Sequence, residues 1–142
     1  MKPIVELLGK RDAAMYKVAP DVTVFDGLKL LSDFEVGAML VMEGDSLVGV
    51  FSERDYTRKV ALQGKNSRET PVAAIMTRDL ITVTPQTRTR VCMALMSQHK
   101  IRHLPVVDNR RVLGMISIRD IMDDMIVDQE LTIAQLQTYI TS

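Results

Sequence analysis

The sequence predicts a mixed α/β (α+β) fold built from two like units, and three observations predict it. A heptapeptide occurs twice, as Gly49-Val50-Phe51-Ser52-Glu53-Arg54-Asp55 and as Gly114-Met115-Ile116-Ser117-Ile118-Arg119-Asp120. The same 65-residue offset carries Val18 onto Val83, Pro20 onto Pro85 and Val41 onto Val106, so two units run in register from residue 18 to residue 120. Each unit also reads as a helical stretch, two short apolar runs parted by a polar turn, and a second helical stretch.

The elements follow in order. Thr23 followed by Asp26 reads as an N-cap, and Val24, Leu28 and Leu31, with Phe34 or Glu35 beyond, keep the spacing of one helical face. The apolar run at 36–42 and the run at 47–51 are separated by Glu43-Gly44-Asp45-Ser46, which predicts two strands joined by a tight turn. From Asp55 a helix is expected through about Leu62, where Gly64-Lys65-Asn66-Ser67 stops it. The second copy places Val91, Leu95 and Met96 on a helix, a strand at 101–107, a turn at Asp108-Asn109-Arg110-Arg111, and a strand at 112–116. A related lead-in precedes each unit, Lys10-Arg11-Asp12 and Thr77-Arg78-Asp79, two residues out of step with the main offset. The expected organisation is a first unit with its lead-in at 1–62, a connector at 63–71, a second unit at 72–127 and a helical tail at 128–142. In that tail Thr132 with Gln135 fits a capping box, and Ile133, Leu136 and Ile140 form an apolar stripe, so a short helix is expected to pack on its own domain or across a dimer.

Composition narrows the function. At 142 residues and 46% hydrophobic, the chain has enough apolar material for a buried core. Eighteen basic residues balance eighteen acidic ones, so no global field draws it to nucleic acid or to an anionic membrane, and binding has to come from local sites. The single cysteine, Cys92, excludes an internal disulfide framework. No long apolar run occurs, and Met1-Lys2-Pro3 opens a short mixed segment rather than a leader, so a cytoplasmic protein is expected.

The paired units, the Gly-x-x-Ser-x-x-Asp ending of each, and the phrases Ile75-Met76-Thr77-Arg78-Asp79 and His103-Leu104-Pro105-Val106-Val107 resemble cystathionine β-synthase (CBS) domains arranged as a pair, often called a Bateman module. The resemblance covers nearly the whole chain. It implies two βαββα units packed sheet to sheet about a pseudo-two-fold axis, clefts between them that take adenosine-containing ligands, and a homodimer.

A serine that ends a strand, with an aspartate three residues on, is first of all a capping box. The same constellation suits a nucleotide, because a helix N-terminus offers donors and a positive dipole to phosphate. Asp55 and Asp120 are the candidates for the ribose diol, which asks for a bidentate acceptor. Ser52, Arg54, Ser117 and Arg119 are the candidates for phosphate, with hydroxyls and planar guanidinium forks as donors. The resemblance places the adenine pocket at Tyr16, Lys17 and Val18 with Val36, Gly37, Ala38 and Met39 in the first unit. In the second unit it falls at Ile81, Thr82 and Val83 with Ile101, Arg102, His103 and Leu104. Arg102 and His103 stand where the first unit has Gly37 and Ala38, so the second unit alone brings two extra phosphate donors, and the two sites are expected to differ in affinity.

Other chemistries find no support. His99 and His103 are four apart, but a helix is expected to end between them and no third ligand is evident, so no metal site is expected. Cys92 has no evident histidine partner, and neither a P-loop nor a Gly-x-Gly-x-x-Gly pattern occurs, so no catalytic residue is assigned. The expected function is a regulatory module that senses adenine nucleotides, AMP first and then ADP, ATP, NAD(H) and S-adenosylmethionine, and acts on a regulated protein the sequence does not name. The competing readings are a structural dimerisation module with vestigial pockets and a nucleotide-using enzyme.

Overall fold

In a computed structural model of the chain, residues 2–8 and 16–141 are described. The lead-in Lys10-Arg11-Asp12 lies outside them. The first unit runs β1 (Lys17–Val18), α2 (Val24–Phe34), β2 (Ala38–Glu43), β3 (Ser46–Ser52) and α3 (Glu53–Tyr56), the last continuing as a π-helical turn at Thr57–Ala61. It follows α1, the single turn Val5–Leu8. The second unit runs α4 (Thr89–His99), β4 (His103–Asp108), β5 (Arg111–Ser117) and α5 (Ile118–Thr141).

Duplication has preserved backbone geometry down to its irregularities. The antiparallel pair β2–β3 runs from Ala38 opposite Ser52 to Glu43 opposite Ser46, with its register break between Val41 and Met42. The pair β4–β5 runs from His103 opposite Ser117 to Asp108 opposite Arg111, with its break between Val106 and Val107, each position 65 residues later. Strand β1 lies parallel to β2 with Val18 beside Val41, and α2 supplies the crossover that a parallel pair requires. In the second unit this strand shrinks to one parallel bridge, Val83 beside Val106. Both long helices end in the left-handed region without glycine, at Glu35 and Lys100, each at φ 55°. Their N–H groups close back on Leu31 and Ser32, and on Met96 and Ser97.

The two helix starts differ. Thr23 caps α2, its hydroxyl accepting from the Asp26 N–H at 3.2 Å. Arg88 at the matching place makes no such bond. Both starts nevertheless receive a backbone carbonyl from elsewhere: the Val24 N–H donates to Thr70 O at 2.8 Å, and the Thr89 N–H to Lys2 O at 2.9 Å.

That last pair reveals an exchange the sequence reading did not anticipate. Ile4 and Leu7, at the chain's beginning, are buried with Val83, Cys92, Met96, Leu104, Val106, Ile116 and Ile121 of the second unit. Val72, Ile75 and Met76, after the connector, are buried with Val18, Val24, Leu31, Met39, Val41 and Phe51 of the first. Each lead-in therefore completes the other unit's core. The bridges Pro3–Arg88 and Thr23–Pro71 mark the equivalent docking points. Met76 lies so close to Gly49 that a Cβ there would come within 2.6 Å of its Sδ and 3.0 Å of Thr77 O, whereas at Gly114 a Cβ would meet Leu8 Cδ2 at 3.5 Å, an ordinary contact. Lys2 fastens the N-terminal segment to α5 through Asp124 at 3.0 Å and Asp128 at 3.1 Å, and these carboxylates raise its ammonium above the ordinary lysine pKa.

The tail also departs from expectation. Residues 118–141 form one unbroken helix, and the Thr132 hydroxyl donates to Asp128 O at 2.9 Å, four residues back, so it caps nothing. The stripe does not fold onto its own domain: Ile133, Leu136 and Ile140 are 55%, 56% and 79% exposed.

Candidate functional site

Each unit delivers the same Ser-x-x-Asp element from strand to helix. Ser52 ends β3 in extended conformation; its N–H donates to Asp55 Oδ2 at 3.0 Å, and its Oγ accepts from the Asp55 N–H at 3.2 Å. In the second unit the Ser117 N–H donates to Asp120 Oδ2 at 2.8 Å, and Ser117 Oγ accepts from the Asp120 N–H at 3.1 Å. The capping box is thus present twice. One more first-turn amide is engaged in each, Glu53 to Gly37 O at 3.1 Å and Ile118 to Arg102 O at 2.9 Å. These bonds tie each motif to the segment entering its own unit's first hairpin strand.

The two aspartates differ in surroundings. Asp55 is buried, and besides Ser52 it holds the Thr77 hydroxyl at 3.1 Å and the Lys59 ammonium at 3.2 Å, both on Oδ1. Ser52 Oγ also lies 3.0 Å from Oδ2. A carboxylate has about four lone-pair sites, so a ribose diol reaching Asp55 has to displace Thr77 or Lys59. At the position matching Lys59 the second unit carries Asp124, which pairs with Lys2. Asp120 is half-buried.

The motifs open onto two clefts, and the clefts cross between units. The larger, about 420 Å3, joins Ser117, Arg119 and Asp120 of the second unit to Tyr16, Val36, Gly37 and Ala38 of the first. The smaller, about 260 Å3, joins Ser52, Arg54 and Asp55 of the first unit to Ile81 and Ile101 of the second. Arg102 and His103 line both. Such reciprocity is what a two-fold relation between like units produces. The resemblance implies clefts between the two units, with Arg102 and His103 as donors of the second; in the structure each cleft is composite and both residues line both.

Not every candidate reaches a cleft. Val18, Met39, Val83 and Leu104 are buried in the two cores, and Lys17 and Thr82 are exposed without lining either cavity. Strand alternation explains the neighbours: Ala38 and His103 face the clefts, so Met39 and Leu104 face the core. Tyr16 is held as a wall by stacking on Phe34, ring centroids 4.6 Å apart, while its carbonyl accepts from the Leu40 N–H at 3.1 Å. Arg54 is partly engaged, Nη1 donating to Lys100 O of the second unit at 2.9 Å. The reading from sequence missed Glu35 and Met115 in the larger cleft and Val50, Thr77 and Asp79 in the smaller. Val50 and Met115 sit at the same place in the repeated heptapeptide, which was a usable signal.

Among the described residues no group of three His, Cys, Asp or Glu side chains is placed to hold a metal, and His99 ends α4 while His103 starts β4. Burial pushes the Cys92 thiol up from its ordinary pKa. No helix among the described residues is long and apolar enough to cross a membrane.

A family model for the CBS domain matches residues 11–62 and again residues 72–126. The chain belongs to the CBS domain family. A mitochondrial CBS domain-containing protein of Arabidopsis thaliana, CBSX3, is 39% identical over 125 residues, covering 84% of this chain. The chain spans 61% of that relative's length. A protein with CBS domains from Burkholderia ambifaria MC40-6 superposes on the CBS pair with TM-score 0.85 and 40% identity, over 89% of this chain and 95% of the other. The CBS domain protein PAE2072 of Pyrobaculum aerophilum, solved in complex with AMP, matches with TM-score 0.73 and 28% identity, over 84% of this chain and 89% of that one.

Proposed function

We propose that this CBS pair is a regulatory module that binds adenosine-containing nucleotides, AMP foremost, in the two composite clefts. The observation that carries the reading is the reciprocity of those clefts. Each sets a serine, an arginine and an aspartate from one unit against an apolar entry segment from the other, which is the donor and acceptor set of a ribose phosphate beside a surface for a base. The AMP complex of the Pyrobaculum aerophilum relative supports the choice of ligand. Because every cleft is built from both units, a ligand that prefers one relative placement of the units shifts the pair toward it. ADP, ATP, NAD(H) and S-adenosylmethionine carry the same adenosine and are the other members of the ligand class.

The proposal includes a homodimer, a regulated protein partner and a cytoplasmic setting. On α5, Ile126, Ile133 and Ile140 recur every seven residues, with Met122 four residues before the first and Leu136 between the last two, and all five are exposed. A seven-residue apolar repeat is what a paired helix presents, so α5 is the surface assigned to the second copy.

A thermal-shift and calorimetry panel with AMP, ADP, ATP, NADH and S-adenosylmethionine tests the reading. A ligand at a hundred times its dissociation constant adds about 2.7 kcal/mol of stability. AMP is expected to raise the melting temperature; a panel in which no adenosine ligand does so overturns the proposal.

A further inference from the structure

We propose that Arg102 and His103 form one anion-binding element shared by the two clefts, so that a phosphorylated adenosine held in one cleft weakens binding of the next in the other. This rests on the nucleotide-binding reading above and adds a coupling to it. Among the described residues that line the clefts, only Gly37, Arg102 and His103 line both. Under the repeat offset Arg102 corresponds to Gly37 and His103 to Ala38, so the seam between the clefts receives its side-chain donors from one unit only. The two sides touch there: a Cβ on Gly37 would lie 3.7 Å from His103 Cε1.

The charges around the seam make the sharing consequential. The larger cleft presents Glu35 and Asp120 against Arg119 and Arg102. The smaller presents Glu53, Asp55 and Asp79 against Arg54 and Arg102, with the Asp55 charge already met by Lys59. Once Arg102 turns to a phosphate in one cleft, the other keeps two carboxylates, Glu35 and Asp120 or Glu53 and Asp79, beside a single private arginine. In the smaller cleft that arginine, Arg54, already donates to Lys100 O. A second phosphate then enters an acidic cleft, with a like charge across the seam. Adenosine, which has no phosphate, does not call on Arg102 and escapes the coupling.

Calorimetry on the full chain tests this with four proteins. Val36→Trp fills the larger cleft alone and Ile81→Trp the smaller alone, both from half-buried wall positions, which gives the AMP constant of each lone cleft. In the parent chain the second AMP is expected to bind about 5- to 150-fold more weakly than in either lone cleft. Adenosine is expected to show no such gap, and Arg102→Gln, at an exposed position, to close the gap for AMP. If a tryptophan variant does not fold, the parent chain and Arg102→Gln decide alone: the spacing between the two AMP constants must shrink to that seen with adenosine. Two AMP constants equal to the lone-cleft values, or a spacing unchanged by Arg102→Gln, overturn the coupling and leave nucleotide binding standing. Absence of any binding by AMP and adenosine overturns both.

Discussion

Replacing Asp55 by alanine separates the two roles that its carboxylate combines. In the folded chain the carboxylate accepts from the Ser52 N–H at 3.0 Å and the Thr77 hydroxyl at 3.1 Å, and pairs with the Lys59 ammonium at 3.2 Å. Removing it takes from the Thr77 hydroxyl its charged acceptor, a loss of about 1 kcal/mol. It also strands a part-buried Ser52 N–H, which costs a further ~1 to 3 kcal/mol. Lys59 contributes less, because its side chain is 41% exposed and keeps Ile75 O as acceptor at 2.9 Å. The expected destabilisation is about 2 to 4 kcal/mol. For a domain of this size that lowers the melting temperature by roughly 6 to 12 °C. Asp120→Ala strands the part-buried Ser117 N–H in the same way and is expected to cost about 1 to 3 kcal/mol. Urea unfolding of both variants beside the parent chain measures this. A loss below about 1 kcal/mol for Asp55→Ala would refute the reasoning that its carboxylate holds the Ser52 amide and the Thr77 hydroxyl.

Three further outcomes follow from the packing. Ile4→Ala truncates a fully buried side chain and is expected to cost about 2 to 5 kcal/mol. Hydrogen exchange should then speed up in β4 and β5 rather than in β2 and β3, although Ile4 precedes the first unit in the chain. Gly49→Val forces a side chain against Met76 and the Thr77 carbonyl, so its urea midpoint should fall by more than that of Gly64→Val, where nothing lies within 4 Å of the added Cβ but the backbone φ is +67°. Cys92 is fully buried with its thiol pushed up by desolvation, so thiol reagents at neutral pH should label the native chain only as fast as it opens, and labelling should become immediate in denaturant.

Much of the fold was legible because repetition multiplies weak signals. The 65-residue offset located both hairpins, both long helices and both capping boxes, since each local pattern was read twice. The burial of Gly27 and Cys92 at matching helix positions follows from that offset directly, whereas the Thr23 cap is a local signal that Arg88 does not repeat. What stayed hidden was tertiary. Pro3-Ile4-Val5-Glu6-Leu7-Leu8 and Pro71-Val72-Ala73-Ala74-Ile75-Met76 carry one apolar pattern at an offset of 68 residues, yet no local rule says that each segment docks on the other unit. The crossing of the clefts is of the same kind, because Val36 and Asp120 meet only once two units pack face to face. The tail misled for a different reason. Thr132 and Gln135 have the spacing of a cap, but α5 was already running, and inside a helix a threonine hydroxyl turns back to the carbonyl four residues earlier.

The central claim is that each cleft takes its polar motif from one unit and its apolar entry from the other. Intermolecular nuclear Overhauser effects from the base protons of bound AMP, measured in the parent chain and in Asp120→Ala, test it most directly. The account predicts contacts to the Val36 methyls and to the Ile81 and Ile101 methyls in the parent chain, with Asp120→Ala removing the Val36 set and sparing the other. Loss of the Ile81 and Ile101 contacts on Asp120→Ala, with Val36 still in contact with the base, would contradict it.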